Sequence, residues 1–520
     1  MADKPKSGTL GLGKRPTKKS GRVEKARPTL SALRRGNPEL HRGKKEQQEK
    51  PVATVEERKP PRERRPGSDQ EERQQVRRDV ERPRKPTGTP SARPQNKGGQ
   101  VVAKEADTAR LRRRVVSDRG NTRPQRPENG DRERPQKTFP VQIQTCFATC
   151  PRGLESILAD ELKALGAGDT ELTAGGVGFK GDWSVVYRAN MHSYLATRIL
   201  LRVSAGKYKT EDDIYQGVLA VYWQRWFEPS RTISVKVVAQ NSPLKSLNFI
   251  TLKIKDGICD RFREETGQRP SVQTVEPDIR IRAFLTKDRY TLYLDTSGEA
   301  LYKRGMRKQA GLAPINENLA AGILKLSGWQ PGEALYDPMC GSGTFLMEAA
   351  LMSLNRAPGL GRSFSFEKFS RLDFKTWQHI KEQAQRDCKP ITALPIYGSD
   401  VLGHSLRDAD TNLKAAGLRE AVTLSKVDIL DMEAPAETGV MVMNPPYGVR
   451  LGAEAELAEM YPRLGDVLKQ KFTGWRVYII SADANLPKLI RLDASRKTPL
   501  YNGALECRLY EYKLVEGSNR

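Results

Sequence analysis

The first 138 residues contain no phenylalanine, tyrosine or tryptophan. They hold 39 Lys and Arg against 19 Asp and Glu, which leaves 50 against 44 for the rest of the 520-residue chain. Proline, glutamine and glycine crowd the same segment. A segment so poor in apolar side chains cannot offset the entropy of ordering it, so the sequence predicts a disordered basic tail over residues 1–138. Its charge suits an arm that holds nucleic acid by releasing counterions, or a solvated spacer.

Long apolar runs are missing as well. No stretch of about 18 apolar residues occurs, and none follows the first charged residues, so neither a membrane span nor a secretory leader is predicted. The expectation is a soluble, cytoplasmic protein. Metal-ligand patterns are also absent. Cysteines at 146, 150, 259, 340, 388 and 507 form neither a CxxC pair nor a Cys/His cluster, and the histidines at 41, 192, 379 and 404 are scattered. A zinc ribbon, a histidine-centred metal site and a histidine-based nucleophilic triad are therefore not expected, and the cysteines read as reduced thiols.

What is present begins with charge. A net charge of +26 points to a polyanionic partner, and 520 residues leave room for about two or three domains. Ordered patterning starts near Phe139. Strand-like 139-FPVQIQTCFAT-149 leads to an amphipathic helix opened by Pro151, over 151–167. Then come a glycine turn and short strand in 175-GGVGFKGD-182, a helix around Val185–Tyr187 and the apolar run 199-ILLRVS-204. Thr210 and Asp213 predict a capping box for a helix over 211–227. Strand 232–239, a helix through Ile254, Ile258 and Phe262, and strands 279–286 and 290–297 complete an α+β unit over 139–300. Within it, Tyr222, Trp223, Trp226 and Phe227 recur at helical spacing and read as core rather than as a stacking surface.

From about residue 301 helices and short strands alternate, which predicts an α/β doubly wound, Rossmann-like domain over 301–520. Its strands are expected at 334–338, 396–400, 422–428, 440–443 and 476–482, with a final strand pair near the C-terminus. A connector spans 356–395. Ligands of such sheets sit at the carboxyl ends of the strands.

Two stretches there carry chemistry. In 337-DPMCGSGTF-345 an acidic strand end precedes two glycines and a helix, so the backbone can approach a ligand beside unpaired helix N–H groups. The third glycine of a dinucleotide fingerprint is Leu346, and no lysine of a phosphate-cradling loop is present. Asp337 disfavours a pyrophosphate and suits a cation or a hydroxyl. S-adenosyl-L-methionine offers both without phosphate. Asp400 and Asp428 close two further strands, where they suit ribose hydroxyls and an adenine amino group.

In 440-VMVMNPPYGVR-450 a buried strand runs into two prolines. They fix two φ angles and make a stiff exit. Asn444 and the Pro445 carbonyl then supply two acceptor oxygens for the hydrogens of a planar exocyclic amine, and Tyr447, after Pro446, supplies a ring on which a base can stack.

These residues resemble class I S-adenosylmethionine-dependent amino-methyltransferases. With 151-PRGLESILADEL-162, 175-GGVGFKGD-182, 277-PDIRIRAFLTKD-288 and 313-APINENLAAGIL-324, the chain from Phe139 onward resembles the THUMP-containing methyltransferases that modify large-subunit ribosomal RNA at the 2-amino group of guanine. The resemblance implies a THUMP-containing, ferredoxin-like RNA-binding domain followed by a class I methyltransferase domain. It implies S-adenosyl-L-methionine as cofactor, with Asp337, Met339, Cys340, Gly341, Gly343, Asp400, Asp428 and Asn444 around it. Asn444, Pro445, Pro446 and Tyr447 would hold the target base. The expected partner is RNA, 23S ribosomal RNA or a pre-ribosomal particle, with no metal. Some relatives carry a second methyltransferase domain after this one, which is expected to be absent here. A tRNA guanosine or DNA adenine methyltransferase, and a non-catalytic RNA-binding assembly factor, are the alternative readings.

Overall fold

Alternation with period two shapes the first sheet. In β1 (Gln144–Thr149) buried and half-buried residues alternate strictly, so one face is covered and the other open. The chain continues through α1 (Glu155–Ala164), β2 (Gly168–Thr173), β3 (Gly176–Gly181), α2 (Trp183–His192) and β4 (Arg198–Lys207), the β-α-β-β-α-β order of a ferredoxin-like unit. It goes on through α3 (Glu211–Leu219), β5 (Ile233–Ala239), α4 (Leu247–Thr266), β6 (Ile279–Leu285) and β7 (Arg289–Asp295). All seven strands form one sheet, ordered β2-β3-β1-β4-β7-β6-β5. Because β4 pairs with both β1 and β7, the two halves are fused rather than tethered. Cys146, Ala148, Leu201, Ile281 and Leu292 share a core with Leu158, Val186, Ile214 and Ile258 of the four helices.

The computed structural model describes residues 142–308, 315–445 and 453–515. The expectations for residues 1–138, for the first residues of the Phe139 strand, and for Pro446 and Tyr447 lie outside the described residues.

Local signals and tertiary contacts disagree at a few places. The Thr210–Asp213 capping box is present, with the Thr210 N–H donating to Asp213 Oδ2 at 2.9 Å and the Asp213 N–H to Thr210 Oγ1 at 3.4 Å. The helix it starts ends at Leu219 rather than 227, where the Trp223 indole N–H donates to the Val218 carbonyl at 3.0 Å and takes over one acceptor of the last turn. Trp223, Trp226 and Phe227 are core, as expected, while Tyr222 is exposed. Helix α1 begins at Glu155 instead of Pro151, since the Glu155 carboxylate accepts the N–H groups of both Gly153 and Gly175. Strand β2 carried no period-two signal, because it is an almost wholly exposed strand at the edge of the sheet.

The second sheet is built from α5 (Glu317–Leu326), β8 (Leu335–Asp337), α6 (Thr344–Ser353), α7 (Phe374–Arg386), β9 (Ile396–Ser399), α8 (Gly403–Ala415), β10 (Thr423–Ser425), β11 (Val440–Met443), α9 (Ala453–Lys471), β12 (Arg476–Ser481), α10 (Leu486–Leu489), β13 (Arg496–Asn502) and β14 (Leu505–Lys513). Its order is β10-β9-β8-β11-β12-β14-β13, parallel from β10 to β12, with β14 antiparallel to both of its neighbours. All four residues of β11 are buried, as a strand covered on both faces requires. This is the doubly wound arrangement expected for residues 301–520.

The connector over 356–395 is not a plain loop. It contains α7 and a 3-10 turn at Ser365–Lys368, and it docks the second sheet's layer on the first. The Gly359 N–H donates to the Met191 carbonyl at 2.8 Å and the Phe366 N–H to the Thr296 carbonyl at 3.0 Å. The ring of Tyr187 lies 4.7 Å from that of Phe366 and 5.8 Å from that of Trp377. Lys368 pairs with Asp278 at 2.6 Å. All the described residues accordingly fall in one unit, Pro127–Arg520.

Candidate active site

Strand order creates the site. From β8 the chain moves outward to β9 and β10, then returns to β11 on the other side of β8. That reversal opens a crevice above the carboxyl ends of β8 and β11. Asp337 is the last residue of β8, and Asn444 follows the last residue of β11. Asp400 follows the last residue of β9, on the opposite flank of β8.

The glycine loop is fastened at several points. The Cys340 N–H donates to the Ser399 carbonyl at 2.9 Å, and the Gly343 N–H to the Cys340 carbonyl at 2.8 Å. The Met339 N–H reaches Asp337 Oδ1 at 3.4 Å. Gly341 and Gly343 adopt φ of +54° and +81°, which L side chains rarely take. Their reasons differ. A Cβ at Gly343 would come within 3.2 Å of Ala409 Cβ, so this residue lets α6 pack on α8. A Cβ at Gly341 would meet nothing within 4 Å, so the backbone there borders open space.

Asp400 spans the loop. Its Oδ2 accepts the Gly341 N–H at 3.0 Å and its Oδ1 the Leu402 N–H at 2.8 Å. Each carboxylate oxygen keeps a further lone pair for a ligand. Asp337 is almost fully buried. Burial pushes its carboxyl well above the ordinary aspartate range, with the Met339 N–H opposing and the Asp400 charge adding to the push. Burial likewise pushes the Cys340 thiol up, reinforced by the charges of Asp337 and Asp400. Asp337, Cys340 and Asp400 are thus close enough for their charges to act on one another. A cationic ligand beside this carboxyl would favour its ionised form.

Asp428 stands apart from them. Strand β10 ends at Ser425, so Asp428 lies three residues beyond it and is exposed, rather than closing the strand as expected. Its carboxylate accepts the Leu430 N–H at 2.9 Å and shapes the turn that follows. Among the described residues no hydrogen bond ties it to the loop or to Asp400.

At the other wall, Asn444 is half-buried and Pro445 buried. The side-chain oxygen of Asn444 is buried without a hydrogen-bond partner among the described residues. A buried acceptor left unpaired costs about 1–3 kcal/mol, so a donor belongs there.

Three residues that the sequence did not single out complete the frame. Asn412, fully buried on α8, donates through Nδ2 to the Ser342 carbonyl at 3.0 Å and accepts the Lys308 N–H at 2.8 Å through Oδ1. It thereby ties the glycine loop to the segment entering the domain. Its one sequence signal is an amide in the buried stripe with Ala409 and Leu413. Arg304 and Glu348 form a buried pair at 3.2 and 3.3 Å, and Arg304 Nη2 also donates to the Tyr194 carbonyl at 2.7 Å. That pair anchors α6 to the ferredoxin-like layer. Among the described residues no three His, Cys, Asp or Glu side chains are placed to hold a metal ion, and no helix is long and apolar enough to cross a membrane.

Residues 304–511 match the RMKL-like methyltransferase domain, residues 208–295 the THUMP domain, and residues 145–200 the RlmL ferredoxin-like domain. A candidate RNA methyltransferase of Synechocystis sp. is 37% identical over 377 residues, covering 72% of this chain and 98% of that protein. The ribosomal RNA large subunit methyltransferase K/L of Aeromonas hydrophila is 40% identical over 392 residues, covering 72% of this chain but 54% of that protein. The chain thus spans about half the length of that relative. The crystal structure of a methyltransferase candidate complexed with S-adenosylhomocysteine matches with a TM-score of 0.66 at 30% identity, over 72% of this chain and 98% of that one.

Proposed function

The chain belongs to the RMKL-like methyltransferase family, and on that premise we propose that it methylates the exocyclic 2-amino group of a guanosine in 23S ribosomal RNA. The fold is a ferredoxin-like and THUMP layer followed by a Rossmann-like methyltransferase layer, and the cofactor is S-adenosyl-L-methionine. The working division is a basic segment over 1–138, an RNA-binding part over 139–300 and a catalytic part over 301–520, acting in the cytoplasm.

The observation that carries the reading is the side-chain oxygen of Asn444 at the mouth of the crevice, buried without a hydrogen-bond partner among the described residues. Asn444 Oδ1 and the Pro445 carbonyl accept the two hydrogens of the target amine. Held by both, the nitrogen bends out of the ring plane and its lone pair is freed from conjugation. Tyr447 stacks on the base. The residues around the glycine loop fit the cofactor. Gly341 borders the open space that a close-lying ligand needs, Asp400 keeps lone pairs for ribose hydroxyls, and Asp337 favours a positively charged group. Met339 and Cys340 belong to the same loop, whereas Asp428 stands apart from it, beyond the end of β10. When bound, the cofactor supplies a methyl group on a cationic sulfur. The chain's own contribution is orientation and exclusion of water.

The test is direct. Purified protein is incubated with S-adenosylmethionine and unmethylated large-subunit ribosomal RNA, and the digested nucleosides are mapped by mass. N2-methylguanosine at a single position is the expected product. Methylation of adenine, or of transfer RNA alone, would overturn the reading.

A further inference from the structure

The first sheet has one face under helices and one face open, and the open face is basic. Across the register, Thr145 is the cross-strand partner of Lys180, Arg202 of Tyr293, Tyr293 of Arg282, and Arg282 of Lys236. Arg202 Nη2 reaches Thr145 Oγ1 at 3.4 Å, which closes the row between β4 and β1. One line of side chains therefore crosses six strands, and at about 4.8 Å per strand it is roughly 24 Å long. Nearer the β6–β7 turn, Lys207 stands directly opposite Arg289. Phe284 and Val238, also cross-strand partners, are exposed on the same face beside Lys236.

This arrangement works against the stability of the fold. Like charges directly opposite on neighbouring strands are destabilising, and here Lys207 faces Arg289 and Lys236 faces Arg282. The carboxylate of Asp295 is fully buried and already shared by Arg198 at 2.7 Å and Arg282 at 2.8 Å. Lys180 has only the exposed Asp169, a pairing worth little. Among the described residues Arg202, Lys207, Lys236 and Arg289 have no carboxylate partner. A lysine on the edge strand β5 would be explained by protection of that edge, but Arg202 lies on an inner strand, where protection is not needed.

We infer that this face is where the RNA substrate docks, an inference that rests on the RNA methyltransferase reading. Lys180, Arg202, Lys236, Lys207 and Arg289 hold successive phosphates, and the rings of Tyr293 and Phe284 supply stacking surfaces among them. A sheet face with interleaved cations and rings suits a structured RNA with unpaired bases. The row runs through β3, β1, β4, β7, β6 and β5, so the site belongs to the fused sheet and to neither half alone.

The experiment uses the full chain and an unmodified bacterial large-subunit ribosomal RNA transcript. The variant R202A/K207A/K236A/R289A removes the unpaired cations and leaves the Asp295 cluster intact. Affinity is measured over a salt series, alongside calorimetric binding of S-adenosylmethionine. The inference predicts that the salt slope falls by about 3, that affinity drops at least about tenfold, and that cofactor binding is unchanged. Phe284→Ala is expected to weaken RNA binding with no change in slope, which separates stacking from charge. If wild type binds the transcript and the quadruple variant matches its affinity and slope, the face serves another anionic partner and the inference is overturned. If wild type binds no RNA, the reading beneath it falls instead.

Discussion

The carboxylate of Asp400 accepts the backbone N–H of Gly341 at 3.0 Å, across 59 residues of sequence. One side chain at the end of β9 thus sets the height of the glycine loop above β8, and it does so on the residue whose Cα borders open space. The loop and the acidic strand end are one device.

Removing that link should loosen the loop. Asp400→Ala leaves Gly341 and Leu402 without their shared acceptor, and charge-assisted hydrogen bonds contribute roughly 1.5–3 kcal/mol each. The expected result is a roughly ten- to hundredfold weaker affinity for S-adenosylmethionine together with a lowered melting temperature. Calorimetric titration checks it, and unchanged affinity would refute the coupling.

Asp337 predicts a pH dependence of cofactor binding. Its folded pKa is raised, so its contribution to stability is fully present below the unfolded value and is lost as pH rises through the folded one. A cationic ligand prefers the ionised form. Affinity for S-adenosylmethionine should therefore strengthen as pH rises through the raised value, then level off, with a proton released on binding. Titrations in buffers of different ionisation enthalpy report that proton. Asp337→Asn should bind weakly and show a flat profile.

Asn444 separates binding from turnover. Asn444→Ala removes one of two acceptors for the amine, and losses of a single preorganised group at a reacting centre run to about 10²–10³ in kcat. Cofactor affinity should stay within about twofold of wild type. Asn444→Asp keeps an acceptor oxygen and should retain more activity. Unchanged turnover in the alanine variant would sink the assignment.

The Arg304–Glu348 pair is a stability prediction. Burial raises the Glu348 carboxyl and the Arg304 charge opposes that rise, so each group depends on the other. Glu348→Ala leaves a buried guanidinium uncompensated and should cost about 3–5 kcal/mol by chemical denaturation. Replacing both residues by methionine should cost less than either single change.

Much of the candidate site was legible in the chain. Strand β11, the glycine loop and the acidic residues at the ends of β8 and β9 all announce themselves through local rules: apolar runs, glycine before a helix, proline after a strand. Asp428 shows the limit of those rules. Its preceding residues read as strand, yet only Thr423–Ser425 pair with β9, and the residue falls outside the strand it was expected to close. Helix α7 was hidden for a related reason. Its buried residues, Trp377, Ile380 and Ala384, are sparse on a helix that is otherwise polar, and their partners lie far back in the chain at Tyr187 and its neighbours.

The sequence by itself determined which groups exist and the local backbone that presents them: the basic segment, the two classes of sheet, the glycine turn and the stiff exit after β11. Those depend on propensity, periodicity and the dihedral limits of glycine and proline, which act over a few residues. Only the tertiary structure decided which groups meet. Asn412 reaches Ser342 and Lys308, Arg304 finds Glu348, and the cations of β4, β6 and β5 line up in a single row. The order and register of strands distant in sequence create those meetings, and strand order is set by the packing of whole layers.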